Sequence, residues 1–161
     1  MPEVIINTSP LFYLHQIGQL NLLQKLYGSI KTQNAVYQEL QAGKAQGISI
    51  PAIQDIEWIN IATPKNEYVP NVIDLGTGEA EVIALGIENP NSLLILDDSL
   101  GRRIARLYHL KFTGTLGVLI RAKESGYIDL VAPLIQSLQQ QGMWLTQDII
   151  SSILKLAKEA P

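Results

Sequence analysis

Cysteine is absent from the 161 residues and histidine occurs twice. The first absence excludes a disulfide framework, a thiolate nucleophile and a zinc site held by sulfur. The second leaves His15 and His109, which share no ligand spacing and fall at expected helix ends, as structural or solvent-facing side chains. A basic excess is missing too: 12 Lys+Arg against 15 Asp+Glu leave a net charge of −3 and a pI near 5.3. Bulk electrostatics therefore cannot grip nucleic acid, and any phosphate contact must be local. The visible basic cluster is Arg102, Arg103 and Arg106. No apolar run approaches the roughly 18 uninterrupted residues of a membrane span. MPEVIINTSP has no basic stretch leading into an apolar one, so a soluble protein with a cytoplasmic address and no membrane partner is expected. Aromatic residues make up 6% and are scattered, with no platform for stacking bases. Gly76-x-Gly78 lacks the third glycine and the strong preceding strand of a dinucleotide fingerprint. There is no repeat and no low-complexity tract.

What is present is a rhythm of short apolar strands and helices. The length suits one domain, residues 1–161, burying about 70% of the surface of its unfolded chain. Val4-Ile5-Ile6 reads as a buried strand ending at Asn7. Ser9-Pro10 supplies a helix start, with Ser9 as cap and Leu11, Leu14 and Ile17 on one face. A second helical run carries Leu20, Leu22, Leu23 and Leu26. Ser29 to Thr32 reads as a strand, Asn34 as the cap of a helix over Ala35 to Ala42, and Glu39 lies at the boundary of its inward face. Gly43 to Pro70 is loop-rich, punctuated by Pro51, Pro64 and Pro70, with a strand at Trp58 to Ala62. Thr77 caps a helix over Gly78 to Glu88 that is apolar nearly all round and so should be buried. The strand Leu93 to Leu96 stops at Asp97-Asp98. Asp98 or Ser99 caps a helix to about His109, with Ile104, Ala105 and Leu107 as its core face. Leu110 to Thr113 leads through Gly114 into a helix over Leu116 to Ser125. Residues 130–161 form a helical tail, Leu130 to Gln141 and then Gln147 to Lys158 capped by Thr146. The stripe Ile149, Ile150, Ile153, Leu154 and Ala157 packs on its own domain or serves a subunit surface. Strands alternating with helices imply a mainly parallel sheet covered on both faces, an α/β fold with three α/β/α layers.

In such sheets ligands bind beyond the carboxyl ends of the strands. Asn7, Glu39, Glu79 and the Asp97-Asp98 pair recur at strand ends and helix starts, and together they would make an oxygen-rich pocket. Carboxylates without His or Cys suit Mg²⁺ or Mn²⁺, and a pair of such ions orients a water nucleophile and stabilises a leaving oxygen in phosphodiester hydrolysis. Each acid also has an ordinary explanation. Glu79 and Glu81 complement a helix dipole, Asp98 serves as an N-cap, and Glu39 is a solvated surface residue. Adjacent aspartates after an apolar strand nevertheless repel each other unless a cation or arginines stand near. Arg102 and Arg103 either bind phosphate or offset these acids.

VIINTSPLFYL, VYQEL, LGTGEAEVIAL, LLILDDSLGRRIA and TGTLGVLIRAKESGYI, in this order along nearly the whole chain, resemble the PIN domain, specifically a branch of small prokaryotic proteins that begin NTSPL or DTSPL. The resemblance implies a three-layer fold and a Mg²⁺- or Mn²⁺-dependent ribonuclease site. The family's first acid falls on Asn7, its second on Glu39, its third on Glu79 and its fourth on the Asp97-Asp98 pair, with Asp98 favoured. Thr8 and Ser9 follow the family's hydroxyl-bearing turn, and Thr115 lies where a hydroxyl near the site is common. At Asn7 the chain departs from the aspartate of most active PIN nucleases. The implied activity is an endoribonuclease acting on RNA, similar to toxins paired with an antitoxin protein and often homodimeric. The alternative is a catalytically weak module binding nucleic acid or protein through the same groove.

Overall fold

The computed structural model describes residues 2–63 and 76–159. Pro64, Pro70 and Leu75, which figure in the sequence reading, lie outside the described residues. Five strands, β1 (Val4–Ile6), β2 (Ile30–Gln33), β3 (Ile59–Ala62), β4 (Leu93–Ile95) and β5 (Lys111–Thr113), form one sheet in the order β3-β2-β1-β4-β5. Every pairing is parallel, with Ile5 opposite both Lys31 and Leu94. Strands of three or four residues suffice because the central ones are buried on both faces. Val4, Ile5, Ile6, Leu94, Ile95 and Leu96 all lie in the core.

Eight α-helices are described: α1 (Thr8–Gln16), α2 (Asn21–Tyr27), α3 (Asn34–Ala45), α4 (Thr77–Glu88), α5 (Ser99–Leu107), α6 (Thr115–Glu124), α7 (Ala132–Gln140) and α8 (Gln147–Leu156). α4 lies across β1, β2 and β4 and packs on α3 and α5, while α6 packs on α1, α2 and α8. The sheet is thus covered from both sides. α4 buries seven of its residues, among them Ala80, Val82, Ile83, Ala84 and Leu85, in agreement with a sequence apolar nearly all round. Among the described residues no helix is long and apolar enough to cross a membrane.

Three helix starts differ from expectation. α1 is preceded by Asn7 rather than Ser9, α3 by Gln33 rather than Asn34, and α4 by Gly76 rather than Thr77, and none of these residues makes a side-chain cap. Acids from other elements take over the work at two of them. Glu81 accepts from Ala35 N in the first turn of α3 at 3.1 Å, and Glu39 accepts from Gly78 N in the first turn of α4 at 3.1 Å. These long-range caps bind α3 and α4 to each other. The starts of α5 and α8 follow the sequence reading: Asp98 accepts from Gly101 N at 2.6 Å, and Thr146 from Ile149 N at 3.1 Å.

Two core assignments also change. Leu107 is 71% exposed; the chain reverses at His109, where φ is 57°, and Leu110 fills the core in its place. Ile150, Ile153 and Leu154 of α8 pack partly on the core and Ala157, just past its end, is buried, but Ile149 stays exposed.

Candidate active site

The strand order reverses direction between β1 and β4, which makes their carboxyl ends the switch point of the sheet, where an open α/β fold leaves a crevice. Asn7 follows β1 there, and Asp97-Asp98 follow β4. Asn7 N donates to Ile95 O at 2.9 Å, so the two chain ends leave the sheet side by side.

Asn7 is 1% exposed. It forgoes capping α1, although asparagine is among the best caps, and its Nδ2 donates instead to Glu79 Oε1 at 3.0 Å. Its Oδ1 is buried with no partner among the described residues, a state that costs about 1–3 kcal/mol. Thr8 Oγ1 donates to Glu39 Oε2 at 2.5 Å, while the other oxygen of that carboxylate takes Gly78 N. Glu39 is therefore tied to α1 and α4 at once. Asp97 accepts from Thr115 N at 2.8 Å, from Thr115 Oγ1 at 2.6 Å and from Ser9 Oγ at 3.3 Å, the last contact crossing the switch point. Arg102 lies 4.0 Å from Asp97 through Nη2 and anchors its Nε on Leu96 O at 3.0 Å.

The predicted residues thus separate. Asn7, Thr8, Glu39 and Glu79 form one hydrogen-bonded group, and Ser9, Asp97, Arg102 and Thr115 form a second, joined to the first through the turn that carries Asn7, Thr8 and Ser9. Asp98 and Arg103 stay outside both and are exposed. Of the adjacent aspartates, the sequence reading prefers Asp98; the geometry prefers Asp97, because the Asp98 carboxylate is committed to Gly101 N at the start of its own helix.

Two glycines that sequence reasoning did not single out shape the site. A Cβ on Gly78 would stand 2.7 Å from Glu39 Oε1, and one on Gly114 would stand 2.7 Å from Asp97 Oδ1 and collide with the Arg102 guanidinium. Both positions let an acid approach the backbone at a helix start, and the runs Gly76-Thr77-Gly78 and Thr113-Gly114-Thr115 carry that signal. Tyr13 was missed as well. Burial, and next the charge of Asp97, raise its pKa above the ordinary phenol value. Nor are the aromatics all scattered: Tyr13, Phe112 and Trp144 line one groove with Asp97 and Arg102. Sequence spacing could not reveal it, since the three come from α1, β5 and the α7–α8 connection.

The donors at the two groups are all oxygens, which suits a hard divalent cation, and the orphaned Asn7 Oδ1 is one that a cation would satisfy. Among the described residues, however, no three acidic or histidine side chains converge closely enough to hold an ion by themselves. Each carboxylate of the two groups is instead held by donors of the protein.

A parallel α/β sheet covered on both faces, with acids held at its switch point, defines the class of three-layer α/β/α folds with an oxygen-lined crevice. Within that class the chain belongs to the PIN domain family, which matches residues 3–159. Nuclease activity is the general activity of that family. The chain matches no curated protein and no solved structure.

Proposed function

We propose that the protein is a divalent-metal-dependent endoribonuclease. The observation that carries this reading is the placement of Glu79, Glu39 and Asp97 around the switch point, each oriented by a neighbouring side-chain or backbone donor. Glu39, Glu79 and Asp97, with the carbonyl of Asn7, would hold Mg²⁺ or Mn²⁺; when bound, such an ion orients water and neutralises charge on the leaving oxygen. The remaining work belongs to the chain. Thr115 and Ser9 fix the Asp97 carboxylate, Thr8 and Gly78 N fix that of Glu39, and Arg102 offers a guanidinium to a phosphate oxygen beside Asp97. Thr8, Ser9 and Thr115 are the hydroxyls nearest a bound RNA backbone in this reading, and Arg103 is a solvent-side cation on the same helix as Arg102.

The finer reading, a toxin working as a homodimer and silenced by an antitoxin protein, rests on the family alone. A second reading, a catalytically weak module that binds RNA or protein, is supported by the neutral Asn7 and by the lack of a preformed three-acid cluster among the described residues. The experiment that separates the two is cleavage of a labelled single-stranded RNA across a Mn²⁺ titration, with the parent, Glu79→Gln and Asp97→Asn compared. The nuclease reading expects metal-dependent cutting by the parent and none by either variant. Cutting that survives in both variants would exclude this site, and no cutting by the parent would favour the binding module.

A further inference from the structure

Beside Asp97 a groove of about 600 Å³ runs along α6 to the outer face of α8, within the size range of small-ligand pockets. Its lining joins the polar Asp97 and Arg102 to the apolar Ile149, Ile153 and Leu156 of α8. Tyr13, Phe112 and Trp144 line it as well, and Trp144 is 83% exposed. The Phe112 ring holds two cations, Arg102 at 5.5 Å and Arg106 at 5.2 Å from its centroid, and Arg102 lies 4.0 Å from Asp97, so guanidinium charge gathers beside the candidate catalytic acid.

We propose that this groove is the subsite for an unpaired nucleobase next to the phosphate being cut, with Trp144 as its stacking face. The inference rests on the nuclease reading for the position of that phosphate. Three observations select this occupant. Asp97 is part of the groove lining, so a strand that presents a phosphate there brings its next nucleotide within reach of the groove. The arginines beside Asp97 complement the negative backbone, in a protein whose overall charge would repel it. The exposed indole offers a flat π-face, which every base can use without sequence preference. A duplex keeps its bases stacked and paired and would have to extrude one to reach Trp144. Selectivity for unpaired strands therefore follows from the groove.

The test uses the full chain, a fluorescent oligouridylate and a blunt RNA duplex as probes, and calcium in place of manganese so that binding is read without cutting. Trp144→Ala is expected to weaken binding of the single strand about tenfold, with duplex binding and the melting temperature unchanged, and Trp144→Phe to recover most of the loss. Equal binding by parent and Trp144→Ala overturns the proposal, as does a parent that binds no single strand. Sedimentation is run alongside: a parent dimer that Trp144→Ala dissociates while RNA binding stays constant assigns this face to a second copy of the chain and also overturns it. A separate manganese assay keeps the two ideas apart. Trp144-dependent binding without any cutting keeps Trp144 as a base-stacking face but removes the nuclease reading and, with it, the placement beside a cut phosphate, whereas cutting that ignores Trp144 keeps the nuclease reading and removes the subsite.

Discussion

At the scale of single residues the site turns on Asn7. Its amide is neutral, so the site carries one negative charge fewer than an aspartate would give it, and cation affinity rises with carboxylate count. Asn7→Asp restores that charge at nearly constant size. It also removes the Nδ2 donor to Glu79 and sets two carboxylates together, so in the absence of metal the variant should melt lower than the parent. With Mn²⁺ the order should reverse, and cleavage of single-stranded RNA should rise above that of the parent. An Asn7→Asp protein that binds Mn²⁺ no better than the parent would show that residue 7 is not a ligand. The adjacent aspartates make a second pair of expectations. Asp98→Ala removes the cap of α5 and should cost about 1 kcal/mol of stability while cleavage persists; Asp97→Asn should keep the fold and lose cleavage. The opposite pattern in paired melting and activity measurements would return the role to Asp98. Glu79 and the two aspartates were visible in the sequence as acids at element ends, whereas Glu39, in the middle of α3, stood out through the resemblance. What the sequence concealed was which of the two aspartates turned inward, because that depends on Thr115 and Ser9, contacts 18 and 88 positions away.

At the scale of elements, periodicity located each strand and helix, and the errors gathered at helix starts. A local pattern search assumes that a helix is capped by its own neighbour, but α3 and α4 take acids from each other's segments. The same device recurs at the tail. Glu159 accepts from Val131 N at 2.7 Å and Ala132 N at 3.0 Å at the start of α7, and pairs with Lys123 of α6 at 3.0 Å. Lys123 also donates to Ala157 O at 2.5 Å. Burial alone would push the Glu159 pKa up, but those backbone donors and the Lys123 ammonium outweigh it and hold the carboxyl below its ordinary value of 4.5. A carboxyl depressed in the folded state stabilises fully above its unfolded pKa and ceases to do so as pH falls through the folded one. The clasp should therefore hold at neutral pH and loosen below about pH 4.5. Glu159→Gln is expected to lose about 1–3 kcal/mol at pH 7 and to show a flatter decline of melting temperature with acid than the parent. Identical acid profiles for the two proteins would remove Glu159 as the group responsible. Because α8 walls the groove beside Asp97, the same variant should also weaken single-strand binding.

At the scale of the whole molecule the sheet order was not legible, although the fold class was. Alternating strand and helix periods imply parallel strands, but only the packing of α4 over β1, β2 and β4 places β1 at the centre and creates the switch point there. Residues from α1, α3, α4, β4 and α6 meet at that edge, so an ion bound there would be linked to global folding. A ligand that binds the folded state alone stabilises it by RT ln(1 + [L]/Kd), about 1.4 kcal/mol at ten times Kd, which for a chain of this size raises Tm by about 3–5 °C. Millimolar Mn²⁺ should therefore raise the melting temperature of the parent, raise that of Asn7→Asp further, and leave that of a Glu79→Gln, Asp97→Asn double variant unmoved. Calorimetry at constant ionic strength separates specific binding from the general screening that any salt supplies. Three proteins responding alike to Mn²⁺ would mean that the ion acts elsewhere, and the acids at the switch point would then be explained by their caps and hydroxyl contacts alone.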